Sequence, residues 1–247
     1  MILELFGPSG AGKTTLASEL ARVLRGQGQP VLLQIADRAH PVRRAAFKLV
    51  SGVHSKWIAQ HSLGELFEIL PPKNEMWAAR LNWHLEALLQ AWRAAMASNQ
   101  KISIFDQGMV QFVSSLVLFS DITDRERVSR ALELLPKPDL LVQLRAPRRI
   151  LEARLRERRR TLGIIQKFLD LDLQSSLDQI DHVKLVEEEL KSFLVPTICV
   201  ESLDSDGLRA ATRAITLRLT SLRGAADVQT GWVSTKRDRR REQDVAD

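Results

Sequence analysis

The stretch Gly7-Pro8-Ser9-Gly10-Ala11-Gly12-Lys13-Thr14 decides the reading of this chain, because it is a complete G-x-x-x-x-G-K-T. It follows the apolar run Ile2–Phe6 directly and precedes a segment of helical spacing that ends near Gly26 and Gly28. In the order strand, glycine-rich turn, helix, successive backbone N–H groups curl around a polyphosphate and the positive end of the helix points at it. The spacing therefore assigns Gly7 to Thr15 to anion binding. Lys13 is expected to reach the outer phosphates and the Thr14 hydroxyl to ligate Mg²⁺, so ATP and Mg²⁺ are the expected cofactors. The bland alternative is a glycine-rich turn with a chance lysine. The whole pattern in its whole context favours the nucleotide.

Working outward, four more apolar runs read as strands: Val31–Ala36, Ile102–Asp106, Leu140–Leu144 and Thr197–Glu201. Helical segments separate them, and β-α-β alternation predicts a five-stranded parallel sheet with helices on both faces, a three-layer α/β fold. The connection from Asp37 to Lys101 is too long for a bare loop. Within it, Trp77, Leu81, Leu85, Leu88, Trp92 and Met96 recur every three or four positions, which predicts one apolar helix stripe over Asn74–Ala97. A helix is expected to begin near Gly108, another to open at Pro147, a third to span Ile165–Phe193, and a last to cover Leu208–Leu222. Beyond about Gly224 the apolar periodicity is lost. The expected domain is 1–223, with a helical insert over 37–100 and a tail over 224–247 that lacks regular structure.

The chain has 247 residues, of which 45% are hydrophobic and 27% charged, a composition that argues against disorder and against a membrane protein. No run approaches the roughly 18 apolar residues of a transmembrane helix, and the N-terminus lacks secretory-signal features. A single cysteine, Cys199, excludes an internal disulfide and cysteine-based zinc sites, and suits a cytoplasmic location. It is expected in the core of the fifth strand, between Ile198 and Val200. The net charge of +6 is unevenly spread: eight arginines fall within Arg145–Arg160, and five more basic residues within Lys236–Arg241. A short arginine-rich segment suits a local phosphate site better than a uniform nucleic-acid surface. The tail run is diluted by Asp238, Glu242, Asp244 and Asp247 and holds no aromatic, so it reads as a solvated end rather than a nucleic-acid contact.

These features, in this order, resemble the P-loop nucleoside and nucleoside monophosphate kinases, thymidylate kinase in particular. The resemblance covers about residues 1–222. It is carried by GPSGAGKTT, by the acidic end of the third strand in IFDQG, by PDLLVQLRAP, by RRILEARLRERRR and by PTICVES. It implies the P-loop NTPase fold, with a helical acceptor-binding insert and an arginine-rich lid over 146–164. It also implies an ATP-dependent phosphotransferase acting on a nucleotide, nucleoside or similar small molecule, with pairing into a homodimer through helices. The chain departs from thymidylate kinases after Asp106, where Gln107 and Gly108 stand in place of an arginine.

Asp106 is expected at the carboxyl edge of the sheet, where it supports Mg²⁺ or the attacking oxygen; the alternative is an N-cap on the following helix. By resemblance, Asp37 is a candidate proton acceptor, against a surface cap or a partner for Arg38. The sequence leaves the division of base and metal roles between these two aspartates open. Arg154 and Arg158 share a helix face and are candidate catalytic lid residues over the γ-phosphate. The alternative is a solvated helix with surface pairs such as Glu152–Arg156. Arg38, Arg43, Arg44, Phe47, Trp77, Arg80 and His84 are the candidates for the acceptor site, with Trp77 and His84 equally readable as packing residues. Two other functions stay open: a nucleotide-dependent regulatory ATPase or switch with a protein partner, and nucleic-acid binding through the arginines.

Overall fold

The computed structural model describes residues 1–35, 64–98, 101–161, 173–192 and 194–243. Asp37, Arg38, Arg43, Arg44 and Phe47 lie outside the described residues. Five parallel strands form one sheet in the order β2-β3-β1-β4-β5, where β1 is Ile2–Phe6, β2 Val31–Gln34, β3 Ile102–Phe105, β4 Leu140–Arg145 and β5 Thr197–Glu201. The P-loop NTPase-type α/β sheet expected from the sequence is thus present, with every strand within two residues of its expected bounds. The glycine-rich turn leaves β1, the central strand, whose neighbours are β3 through Leu3↔Ile104 and β4 through Leu5↔Val142.

Alternation along β1 divides the core. Leu3 and Leu5 face one layer and Ile2 and Phe6 the other, all four buried. The first layer is closed by α1 (Lys13–Gly26), α6 (Arg148–Thr161) and α8 (Ser205–Gln243), through Leu16, Leu20, Leu151, Leu155 and Ile215. The second is closed by α2 (Gly64–Ile69), α3 (Glu75–Ala97), α4 (Met109–Ser120), α5 (Arg125–Glu133) and α7 (Leu173–Glu189). Each fully buried leucine in these layers contributes about 2 kcal/mol of transfer free energy, so the layers hold the strand ends in place.

Helix α3 starts where expected, because the Asn74 side chain accepts a hydrogen bond from the Trp77 backbone N–H at 3.0 Å. Its stripe differs at the far end. Leu81, Leu85, Leu88 and Trp92 step by four, three and four, and the next step of three lands on buried Ala95, leaving Met96 61% exposed. The helix α5 was not expected: RERVSRALE is mostly charged, and only Val128, Ala131 and Leu132 are buried. It is tied by Arg125 to Glu188 of α7 and by Arg130 to Glu65 of α2. The described backbone of α8 continues to Gln243, past the boundary near Gly224, through a stretch that contains no proline.

Cys199 is not a core residue. β5 is an edge strand, and its burial leaves Cys199 exposed while Val200 is buried. Its thiol donates to Gln143 Oε1 of β4 at 2.9 Å. Among the described residues, no helix is long and apolar enough to cross a membrane.

Candidate active site

The turn between β1 and α1 has the backbone of an anion cradle. Gly10 and Gly12 take φ of 83° and 97°, a region that side-chain-bearing residues rarely adopt. Gly7 is required for a different reason: a Cβ there would lie 2.5 Å from the Leu144 carbonyl oxygen of β4. The Ala11 N–H donates to Pro8 O at 3.2 Å, closing the turn. Lys13 is 9% exposed, and its ammonium donates to Gly7 O at 2.5 Å and Pro8 O at 3.0 Å. These carbonyls hold the lysine charge against the turn itself, beside backbone N–H groups of the kind that bind anions. Thr14 and Thr15, in the first turn of α1, are exposed.

Asp106 lies just past β3 and is 1% exposed; its Oδ2 accepts a hydrogen bond from Thr14 Oγ1 at 2.7 Å. The two residues expected to share a metal therefore meet. The helix-cap alternative does not describe Asp106: Gly108 stands at the N-cap of α4 with no side-chain cap, and the first-turn N–H groups go elsewhere.

They go to Glu4, a residue the sequence analysis passed over. Glu4 is fully buried in the middle of β1, and its Oε1 accepts from Val110 N–H at 2.7 Å and from Gln111 N–H at 3.2 Å. Burial pushes its carboxyl up to about 7, against the opposing pull of the backbone N–H groups of Gln111, Val110 and Met109. Gly108 is matched to it, since a Cβ there would stand 2.3 Å from Glu4 Cδ. Gln111, 5% exposed, then accepts the Gly7 N–H on its Oε1 at 3.2 Å. The signal for Glu4 was one acidic residue inside an otherwise apolar strand, ILELF. Gln111 carried none, because its partner is 104 residues away.

The arginine segment divides. Arg148 and Arg156 pair with Glu152 at 3.2 and 3.4 Å, and Arg160 with Glu157 at 3.4 Å, all exposed arginines, as the solvated-helix alternative expects. Arg154 is different. Half-buried, it donates to Gly10 O at 3.1 Å, to Ser202 O at 3.1 Å and to Leu203 O at 2.6 Å. It thus straps α6 to the phosphate turn and to the loop after β5. Arg158 is half-buried one turn further on.

Of the described acceptor candidates, Trp77 stacks on Phe119 at 3.9 Å and carries the Arg80 guanidinium 5.0 Å from its ring centroid. His84 meets Phe112 edge-on at 5.7 Å. Trp77 is taken up in packing between α3 and the end of α4, ten residues or about 15 Å of helix from the first turn of α4. The structure brings together Lys13, Thr14, Asp106 and Arg154 around the turn, and leaves Trp77 away from them.

No protein family matches the chain, and no curated protein matches it. Among solved structures it is similar to deoxyadenosine kinase from M. mycoides with the products dCMP and a flexible dCDP bound. The TM-score is 0.53 and the identity 16%, covering 90% of this chain and 100% of that one. The structure of the same kinase with bound dATP has a TM-score of 0.48 and 17% identity, covering 89% of this chain and 100% of that one. Alternating layers, strand order, phosphate turn and this likeness agree on one architecture: the chain has the fold of the P-loop nucleoside kinases.

Proposed function

We propose that this chain is an ATP-dependent phosphotransferase that moves the γ-phosphoryl group of Mg·ATP to a nucleoside, nucleotide or similar small molecule. The observation that carries the reading is the phosphate turn with its two charged or polar companions, Lys13 on the Gly7 and Pro8 carbonyls and Thr14 on Asp106. Fold likeness alone would not separate a kinase from another user of the same fold.

In this reading the N–H groups of the turn bind the phosphates, and the start of α1 adds the positive end of its dipole. Lys13 gives up its carbonyl partners for the outer phosphates. The donors at Thr14 and Asp106 are oxygens, which fit Mg²⁺. Among the described residues no group of three or more His, Cys, Asp or Glu gathers to form a metal cage. Thr14 and Asp106 would hold Mg²⁺ together with phosphate oxygens and water. The chemistry it would supply when bound is neutralisation of charge on the transferring group. Asp106 orients the Thr14 hydroxyl. Asp37 is proposed as the proton acceptor for the attacking hydroxyl. Arg158 is proposed to cover the transferring group, and Arg154 to hold the turn that presents it.

The test is a screen of nucleosides, nucleoside monophosphates and sugars with ATP labelled in its γ-phosphate. A labelled small-molecule product that requires Mg²⁺ supports the reading. ADP formed at the same rate with no added acceptor contradicts it and favours a regulatory ATPase.

A further inference from the structure

Two buried polar side chains lie behind the phosphate turn, and neither has a part in the chemistry just described. Both connect to it through unbroken hydrogen bonds. Glu4 holds the N–H groups of Val110 and Gln111 from the middle of β1. Gln111 returns its side-chain oxygen to the N–H of Gly7, three residues after Glu4 and just past the end of the same strand. The Gly7 carbonyl is taken by Lys13. The peptide groups on either side of Gly7 are thus fixed, one through Gln111 and the other through the lysine that meets the phosphates.

The spatial constraints point the same way. Gly7 lacks room for a Cβ beside the Leu144 carbonyl, and Gly108 lacks room beside Glu4, at 2.5 and 2.3 Å. The turn backbone at Gly7 therefore packs directly on β4, and the start of α4 at Gly108 directly on the Glu4 carboxyl. A buried N–H left without its acceptor is costly, so loss of Gln111 would free Gly7 N–H to seek another partner and reorient the turn.

We propose that Gln111 and Glu4 are positioning residues for the phosphate turn: Glu4 fixes the first turn of α4, and Gln111 in that turn sets the Gly7 peptide from which the anion cradle begins. The inference rests on the nucleotide-binding reading. Glu4 does not touch the nucleotide in this scheme; its effect passes through Gln111. The second carboxyl oxygen of Glu4, Oε2, is buried against Gly108 with no hydrogen-bond partner among the described residues.

The experiment is calorimetric titration of Mg·ATP into the full chain and into Gln111→Met, Glu4→Gln, Glu4→Leu and the Glu4→Leu/Gln111→Met pair. Melting temperatures without nucleotide are measured alongside. Gln111→Met, which keeps shape but removes the acceptor, is expected to weaken Mg·ATP binding about tenfold. Glu4→Gln keeps an acceptor for the Val110 and Gln111 N–H groups and is expected to stay within about threefold of the parent. Glu4→Leu should reproduce the Gln111→Met loss, and the pair should lose no more than Gln111→Met alone, because both act through one contact. Should Glu4→Leu fail to fold, the contrast between Gln111→Met and Glu4→Gln decides. A lowered melting temperature with unchanged affinity overturns the proposal, since that is a purely structural role. Losses that multiply in the pair also overturn it. A parent chain that does not bind Mg·ATP overturns the nucleotide reading itself, an outcome distinct from equal binding by parent and Gln111→Met.

Discussion

Replacing Glu4 by Gln should change how the stability of this protein depends on pH. Burial holds the Glu4 carboxyl at about 7 in the folded chain, against 4.5 as the ordinary value, even though three backbone N–H groups of α4 pull it down. Below 4.5 both states carry the proton, and the folded state has the full benefit of a neutral buried group. Between 4.5 and about 7 the unfolded chain releases the proton while the folded chain keeps it, so this contribution to stability falls as pH rises. Above about 7 the loss is complete and constant. A rise from 4.5 to about 7 corresponds to about 3 kcal/mol. Glutamine keeps an acceptor for Val110 and Gln111 and carries no charge at any pH. Urea unfolding of parent and Glu4→Gln, at about pH 5 and at about pH 8, isolates the difference, because every other titrating group is common to both. The variant should match the parent to within about 1 kcal/mol at the lower pH and exceed it by about 2–3 kcal/mol at the higher. A stability difference that does not change with pH would refute the reasoning.

Other consequences are local to the site. Asp106→Asn keeps an acceptor for Thr14 but removes the charge, so Mg²⁺-dependent turnover with a competent acceptor should fall at least about tenfold, with the melting temperature nearly unchanged. Arg154→Gln loses a cation that holds three backbone carbonyls and should cost about 1–3 kcal/mol in urea unfolding, together with weaker Mg·ATP binding. Arg156→Gln removes only an exposed pair with Glu152 and should stay within about 0.5 kcal/mol of the parent. Gly108→Ala forces a methyl group to within 2.3 Å of Glu4 Cδ and should destabilise by about 1–3 kcal/mol, a cost read as a lower unfolding midpoint.

Much of this architecture was legible because it is written in local pattern. The runs ILELF, ISIF and LLVQL are too short and too apolar for surface helices, and GPSGAGKT fixes where the first of them ends. What escaped depends on contacts distant in sequence. Cys199 sits in an apolar run like the others, and only strand order reveals that its strand is an edge. Arg154 and Arg156 look alike along the chain, yet one reaches Gly10 and Ser202 while the other faces solvent beside Glu152. The capping of α4 is the clearest case. The local candidate was Asp106, three residues before the helix, but the carboxyl that meets the first-turn N–H groups comes from β1, more than a hundred residues earlier. Asp106 instead meets Thr14.

The most direct measurement of the central claim is a calorimetric titration of Mg·ATP into the parent chain and into Lys13→Ala. The ammonium of Lys13 sits on the carbonyls at the mouth of the turn, 9% exposed, and is the one full positive charge within the motif itself. Removing it deletes a charge-assisted contact to the outer phosphates, worth about 2–3 kcal/mol or about 30- to 150-fold in dissociation constant. The parent should bind saturably, the variant should show a loss of that size, and the two should have closely similar unfolding midpoints. Equal affinity in parent and variant would contradict the central claim.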